Sequence, residues 1–116
     1  MRQKHPLINP NSLHYINEKG RNRIFNEEKN MTLCHMIGAC IFNIRKYEYR
    51  KDKKGQLSSD MLKIETYKNY LKCLKRIEYE ILVDGVYNEA RITVHDAMNS
   101  LNLSWDNWED WADDNN

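Results

Sequence analysis

Asn43, Lys46 and Arg50 recur at intervals of three and four residues, the spacing that places side chains on one face of a helix. An amide, an ammonium and a guanidinium in line, beside a small-residue notch at Gly38 and Ala39, can hold a phosphorylated ligand. The guanidinium grips phosphate oxygens as a fork, the lysine acts as a point charge, and the amide reads a base or sugar. The competing reading is a solvated helix face with its glycine used for close packing, since charge stripes on helices are common. Spacing alone leaves both open.

The elements that would position these residues follow from apolar periodicity. Leu33, Ile37, Ile41, Ile44 and Tyr47 or Glu48 form a core stripe at spacings of three and four, which predicts a helix over 31–51 capped by Asn30 or Thr32. The loop 52–57 contains Gly55, suited to a helix stop. Ser58 or Ser59 then caps a second helix over 59–82, with Asp60 in its first turn and a stripe of Ile64, Tyr67, Leu71, Leu74, Ile77 or Glu78, and Ile81. So short a connection makes the two helices antiparallel neighbours. Asp60 and Lys63 then come close to Arg50 and Lys53.

A third helix is expected over 86–101, with Val86, Ala90, Val94, Ala97 or Met98, and Leu101 on one face. Its β-branched run 92–94 offers a short strand as the alternative. Residues 1–30 read as an irregular polar arm, broken by Pro6 and Pro10, with a short charged helix over 18–29. The acidic tail 104–116 carries Trp105, Trp108 and Trp111 after a possible cap at Ser104. Such a cluster docks on the core or on a partner subunit. The expectation is an all-α protein with an arm (1–30), a helical ligand-binding domain (31–103) and a docked tail (104–116).

At 116 residues the chain has room for one small domain, of a size at which self-association often adds stability. A formal net charge of +1 hides a division: residues 1–79 hold 17 basic against 8 acidic residues, and 80–116 hold Arg91 against 9 acidic ones. A basic half suits an anionic ligand, and a chain split this way can pair head to tail with itself, so a homo-oligomer is expected. No stretch approaches a membrane span and no apolar leader core is present, which predicts a protein without a membrane partner. Cys34, Cys40 and Cys73 lack any Cys-x-x-Cys pairing, which fits thiols kept reduced and buried as small hydrophobes.

Several chemistries lack their motif. There is no Gly-x-x-x-x-Gly-Lys-Ser/Thr loop, no His-Glu-x-x-His or paired-cysteine zinc spacing, and no Gly-x-Ser-x-Gly. Glu27-Glu28 and Glu48 do not make the repeated carboxylate pairs of a magnesium-dependent pyrophosphohydrolase, so no metal is expected. No recognition-helix pattern points to nucleic acid.

The order His14-Tyr15, Asn43-x-x-Lys46-Tyr47-x-x-Arg50, Lys53-Lys54 and Asp60-x-x-Lys63 resembles the SaV-like family of small phage proteins, over residues 10 to 75. Phe42 and Asp52 stand where that family has glycines, the second placing a carboxylate beside the presumed phosphate site. The resemblance implies a phage nucleotide kinase without a Walker motif, taking ATP or another phosphate donor in the cytoplasm of an infected bacterium. On that basis Lys46, Arg50, Asp60 and Lys63 are expected to act in catalysis. His14, Tyr15, Asn43, Lys46, Tyr47, Arg50, Lys53 and Lys54 are expected to hold the ligand. The alternative is a sponge that captures a nucleotide or cyclic nucleotide immune signal as counter-defence, without chemistry.

Overall fold

Residue 32 begins the hairpin on which the fold is built. In the computed structural model, which describes residues 4–8, 18–51, 57–85, 88 and 90–113, the Thr32 hydroxyl accepts the His35 N–H at 3.2 Å and so caps a helix. The described helices are α1 (Glu18–Asn30), α2 (Leu33–Arg50), α3 (Leu57–Asp84), α4 (Val94–Leu101) and α5 (Trp108–Ala112), with a single 3₁₀ turn at Trp105–Asn107. No strand occurs among the described residues; the protein is all-α. None of these helices is long and apolar enough to cross a membrane.

α2 and α3 pack antiparallel along most of the length of α2, as the apolar stripes and the short connection require. Their seam is formed by Leu33, Ile37 and Cys40 with Tyr70, Cys73, Leu74, Ile77 and Ile81 in one buried cluster, and Ile44 and Ile64 are buried apart from it. The stripe departs from the expected one at Ile41, which is 43 % exposed, while Met36 and Cys40 face the core beside Leu33, Ile37 and Ile44. α3 begins at Leu57, ahead of Ser58 and Ser59, so neither serine sits at the expected cap. It ends at Gly85, whose φ of 73° lies in the left-handed region and whose N–H donates to the Ile81 carbonyl at 3.1 Å.

The third helix is much shorter than expected. Thr93 is extended and caps α4 by accepting the Asp96 N–H at 3.1 Å, so the helix starts at Val94. Thr32 and Thr93 form an isolated antiparallel bridge, with Leu33 N–H donating to the Ile92 carbonyl at 2.8 Å and Val94 N–H to the Met31 carbonyl at 3.2 Å. The β-branched run forms no strand: Thr93 alone is bridged and Val94 already opens α4, and the bridge ties together the N-termini of two helices. Val86 lies outside the described residues, and Ala90 is exposed in the preceding turn.

The N-terminal region is less irregular than expected. Residues 18–30 are helical, as the charged-helix reading has it, and His5 and Pro6 are buried. The tail packs on its own domain. Trp105 is buried at 7 % exposure, Trp108 and Trp111 lean on the core, and Trp111 donates to the Ser104 carbonyl at 2.8 Å. Lys4–Glu109 (2.8 Å) and Lys72–Asp113 (2.5 Å) hold the tail from either side. Of the two dockings expected for the tail, the one on its own core is seen, with Trp105 buried and Trp108 and Trp111 partly exposed.

Candidate functional site

The end of the hairpin gathers Lys46, Tyr47, Arg50, Asp60 and Lys63 of the residues singled out in the sequence. Tyr47 on α2 is half-buried, its ring stacked on Tyr67 of α3 with centroids 6.1 Å apart. Among the described residues, three cations stand around the Tyr47 ring: the Lys46 ammonium at 4.6 Å from the centroid, the Lys63 ammonium at 5.2 Å and the Arg50 guanidinium at 5.5 Å. Two come from α2 and one from α3, so the cluster exists only because the helices are antiparallel. The electron-rich ring face attracts each cation. The cations repel one another, a cost that a polyanion would relieve.

Asp60 completes the group. Its Oδ2 lies 3.7 Å from Arg50 Nε, a separation within an ion pair but beyond a hydrogen bond. The residue is fully buried, and neither carboxylate oxygen has a hydrogen-bond partner. Asp60 pairs with Arg50 and not with Lys63, whose ammonium lies over the Tyr47 ring. Farther along the seam, Lys68 and Glu48 pair at 3.6 Å on the surface.

Tyr67 also lines a cleft of about 400 Å³ between α1 and the hairpin, a volume within the range of small-ligand sites. Its walls include Arg23 and Glu27 from α1, Ala39, Cys40 and Asn43 from α2, and Tyr70 from α3. Asn43 uses one amide N–H on the Ala39 carbonyl at 2.9 Å. Burial, with Tyr47 adding to it, holds the Tyr67 hydroxyl above its ordinary pKa, so it faces the cleft as a neutral group. Tyr67 is thus shared between an apolar cleft with a few polar groups and a cationic cluster. Gly38 is exposed, and a Cβ placed there would meet nothing within 4 Å. The expected notch is corrected: Ala39 alone lines the cleft.

His14, Tyr15, Asp52, Lys53 and Lys54 lie outside the described residues. Arg91 is exposed in the turn before α4, while His95 contacts Asn99 at 3.1 Å on the helix itself.

A second cluster escaped the sequence reading. Glu28 of α1 is buried, and its Oε2 takes hydrogen bonds from the Tyr70 hydroxyl at 2.5 Å and His5 Nε2 at 2.9 Å. Its Oε1 accepts the Trp105 indole N–H at 2.9 Å. His5 Nδ1 accepts the Leu7 backbone N–H at 3.1 Å, which places the ring proton on Nε2, toward Glu28. Burial first, then the Glu28 carboxylate, pushes the Tyr70 hydroxyl well above its ordinary pKa, so it remains a donor. One carboxylate joins the N-terminal segment, α1, α3 and the tail. The only signal in the sequence is the residue types, since the partners are separated by 23, 42 and 77 positions.

Cys40 and Cys73 are buried thiols, each pushed up to about 12 chiefly by desolvation, and Cys34 is exposed. The expectation of buried thiols is corrected for Cys34.

Residues 9–69, more than half of the chain, match the model of a family described only as proteins of unknown function, DUF3310, and the chain belongs to that family. The matched segment encloses Asn43, Lys46, Tyr47, Arg50, Asp60 and Lys63. No curated protein and no solved structure is significantly similar to the chain.

Proposed function

We propose that this member of the DUF3310 family binds a nucleotide, with the phosphates held at the end of the hairpin by Lys46, Arg50 and Lys63. The observation that carries the reading is the convergence of those three cations, from two helices, on the single ring of Tyr47. Tyr67 connects this cluster to the cleft, where Asn43 offers a polar contact for a base among apolar walls. Ligand phosphates on the cations and the base toward the cleft would use both features at once.

The resemblance to the phage family extends the reading to phosphoryl transfer from ATP or a similar donor. Preorganised cations suit that reaction, because it proceeds largely by positioning and by offsetting charge on the transferred group. The phage origin and the cytoplasm of an infected bacterium belong to the same resemblance.

Calorimetry against mononucleotides and cyclic dinucleotides, with analysis of the recovered ligand, tests the proposal. Arg50→Ala and Lys46→Ala are each expected to weaken binding about ten- to a hundred-fold, the value of a charged hydrogen bond. Arg91→Ala, outside the cluster, is the charge-matched control. Lys46→Ala is the cleaner variant, because removing Arg50 also strands the buried Asp60. Diphosphate formed from ATP and a monophosphate would assign transfer, and tight binding with intact ligand would assign capture. Equal losses in all three variants, or no binding by the parent protein, would end the nucleotide reading.

A further inference from the structure

The least satisfied group in the described structure is Asp60. A buried carboxylate ordinarily accepts several hydrogen bonds, because leaving its lone pairs without donors costs several kcal/mol. Asp60 is 0 % exposed and accepts none on either oxygen. Arg50 supplies opposite charge at 3.7 Å, which answers the charge without filling the acceptor sites. Two orphaned acceptors side by side ask for two adjacent donors.

The surroundings restrict what those donors can be. Lys46, Arg50 and Lys63 make the neighbourhood strongly cationic, which opposes a metal ion and favours a ligand that is anionic overall. The donors must therefore be neutral N–H or O–H groups belonging to a molecule whose negative charge lies close by. Two parts of a nucleotide fit that chemistry: the vicinal hydroxyls of ribose, and the N–H edge of guanine. Asp60 lies beside the same guanidinium that the phosphates would use. A sugar hydroxyl is joined to its phosphate through a few bonds, whereas a base edge sits on the far side of the sugar. An acidic side chain is also the usual acceptor for ribose hydroxyls in dinucleotide folds.

We infer that Asp60 is a sugar-reading residue: its carboxylate accepts the vicinal hydroxyls of a ribonucleotide whose phosphates rest on Arg50, Lys46 and Lys63. This rests on the nucleotide reading above and adds the class of ligand, a ribonucleotide. The Arg50 side chain is 44 % exposed. Its swing outward to the phosphate uncovers Asp60, and the ligand hydroxyls take up the two acceptors. The site then rejects analogues without those hydroxyls, because their binding would leave the carboxylate buried and unpaired.

The experiment is a calorimetric comparison of AMP, 2′,3′-dideoxy-AMP, GMP and 2′,3′-dideoxy-GMP on the full chain, repeated with Asp60→Asn. On the parent protein the ribose forms are expected to bind about ten- to a hundred-fold more tightly than their dideoxy counterparts, whichever the base. In Asp60→Asn the ratio should fall toward one, while inorganic pyrophosphate, which probes the cations alone, binds the variant at least as tightly as the parent, since the change removes a negative charge beside Arg50. The ratio on the parent protein requires no variant to fold. Ribose and dideoxy forms bound equally well would overturn the inference and leave the nucleotide reading standing. A preference for guanine regardless of sugar would move Asp60 to the base edge and overturn the sugar assignment. Failure of all four nucleotides and of pyrophosphate to bind would remove both proposals.

Discussion

Glu28→Gln is a near-isosteric change that should cost this protein a large part of its stability. The carboxylate accepts from Tyr70 and His5 on one oxygen and from Trp105 on the other. An amide has only one acceptor end. If its oxygen faces Tyr70 and His5, the NH₂ group points at the Trp105 indole N–H, donor against donor. If it is flipped, the NH₂ meets the His5 Nε2 proton, and His5 cannot change tautomer without abandoning the Leu7 N–H on Nδ1. Either orientation loses at least one hydrogen bond to a charged acceptor and strands a buried donor. The sum is about 3–5 kcal/mol, out of a total of roughly 5–15 kcal/mol for a domain. With about 4 °C per kcal/mol at this chain length, the melting midpoint should fall by about 12–20 °C. Urea and thermal unfolding by circular dichroism measure it, with Glu65→Gln, an exposed site on α3, as the control. A loss below 1 kcal/mol, like that of the control, would refute the claim that one carboxylate holds four segments together.

Three other outcomes are expected. Cys40 and Cys73 titrate near 12 in the folded protein against 9 for an ordinary thiol, so the folded state holds their protons longer. Stability is therefore intact below pH 9 and declines above it, by up to about 2.7 kcal/mol per pH unit for the two together. Urea midpoints at pH 8, 9 and 10 should show the slope, and a Cys40→Ala/Cys73→Ala protein should flatten it. Gly38→Ala is expected to raise stability by about 0.5–1 kcal/mol, because the position is helical and a Cβ meets nothing there, and to leave ligand affinity unchanged. A weakened ligand in that variant would restore Gly38 to the site. Ending the chain at Leu103 removes buried Trp105 and its bond to Glu28, and should lower stability by about 3–5 kcal/mol. Light scattering of the full chain separately decides the proposed self-association, since an unchanged monomer mass at tens of micromolar would dismiss it.

Much of the hairpin was legible in the residues. Leu33, Ile37 and Ile44 recur at helical spacing and are buried where that spacing puts them, as are Ile64, Leu74, Ile77 and Ile81 on the facing helix. Thr32 caps α2 by the rule that names threonine for that place. The Lys46 and Arg50 spacing, with Asp60 and Lys63 one loop later, was sufficient to anticipate their meeting at one end of the hairpin, whereas Asn43, expected beside them, lines the cleft. Local chemistry could not place Ile41, which fits the apolar stripe by spacing yet is turned outward, because helix rotation is set by what the opposite helix offers.

Sequence by itself determined that α2 and α3 form and pair, because apolar period and capping chemistry act over a few residues and need no partner to be recognised. The tertiary structure alone decided which distant residues became one site. The start of α4 at Val94, rather than at 86, goes with the Thr32–Thr93 bridge, which joins residues some sixty positions apart along the chain. Tyr47 became the centre of three cations only once α3 brought Lys63 to it. Glu28 gained His5, Tyr70 and Trp105 only when four segments closed on it. The physical reason is that a buried polar group must find its partners in space, and satisfying them depends on the closed packing of the whole chain, which no local pattern encodes.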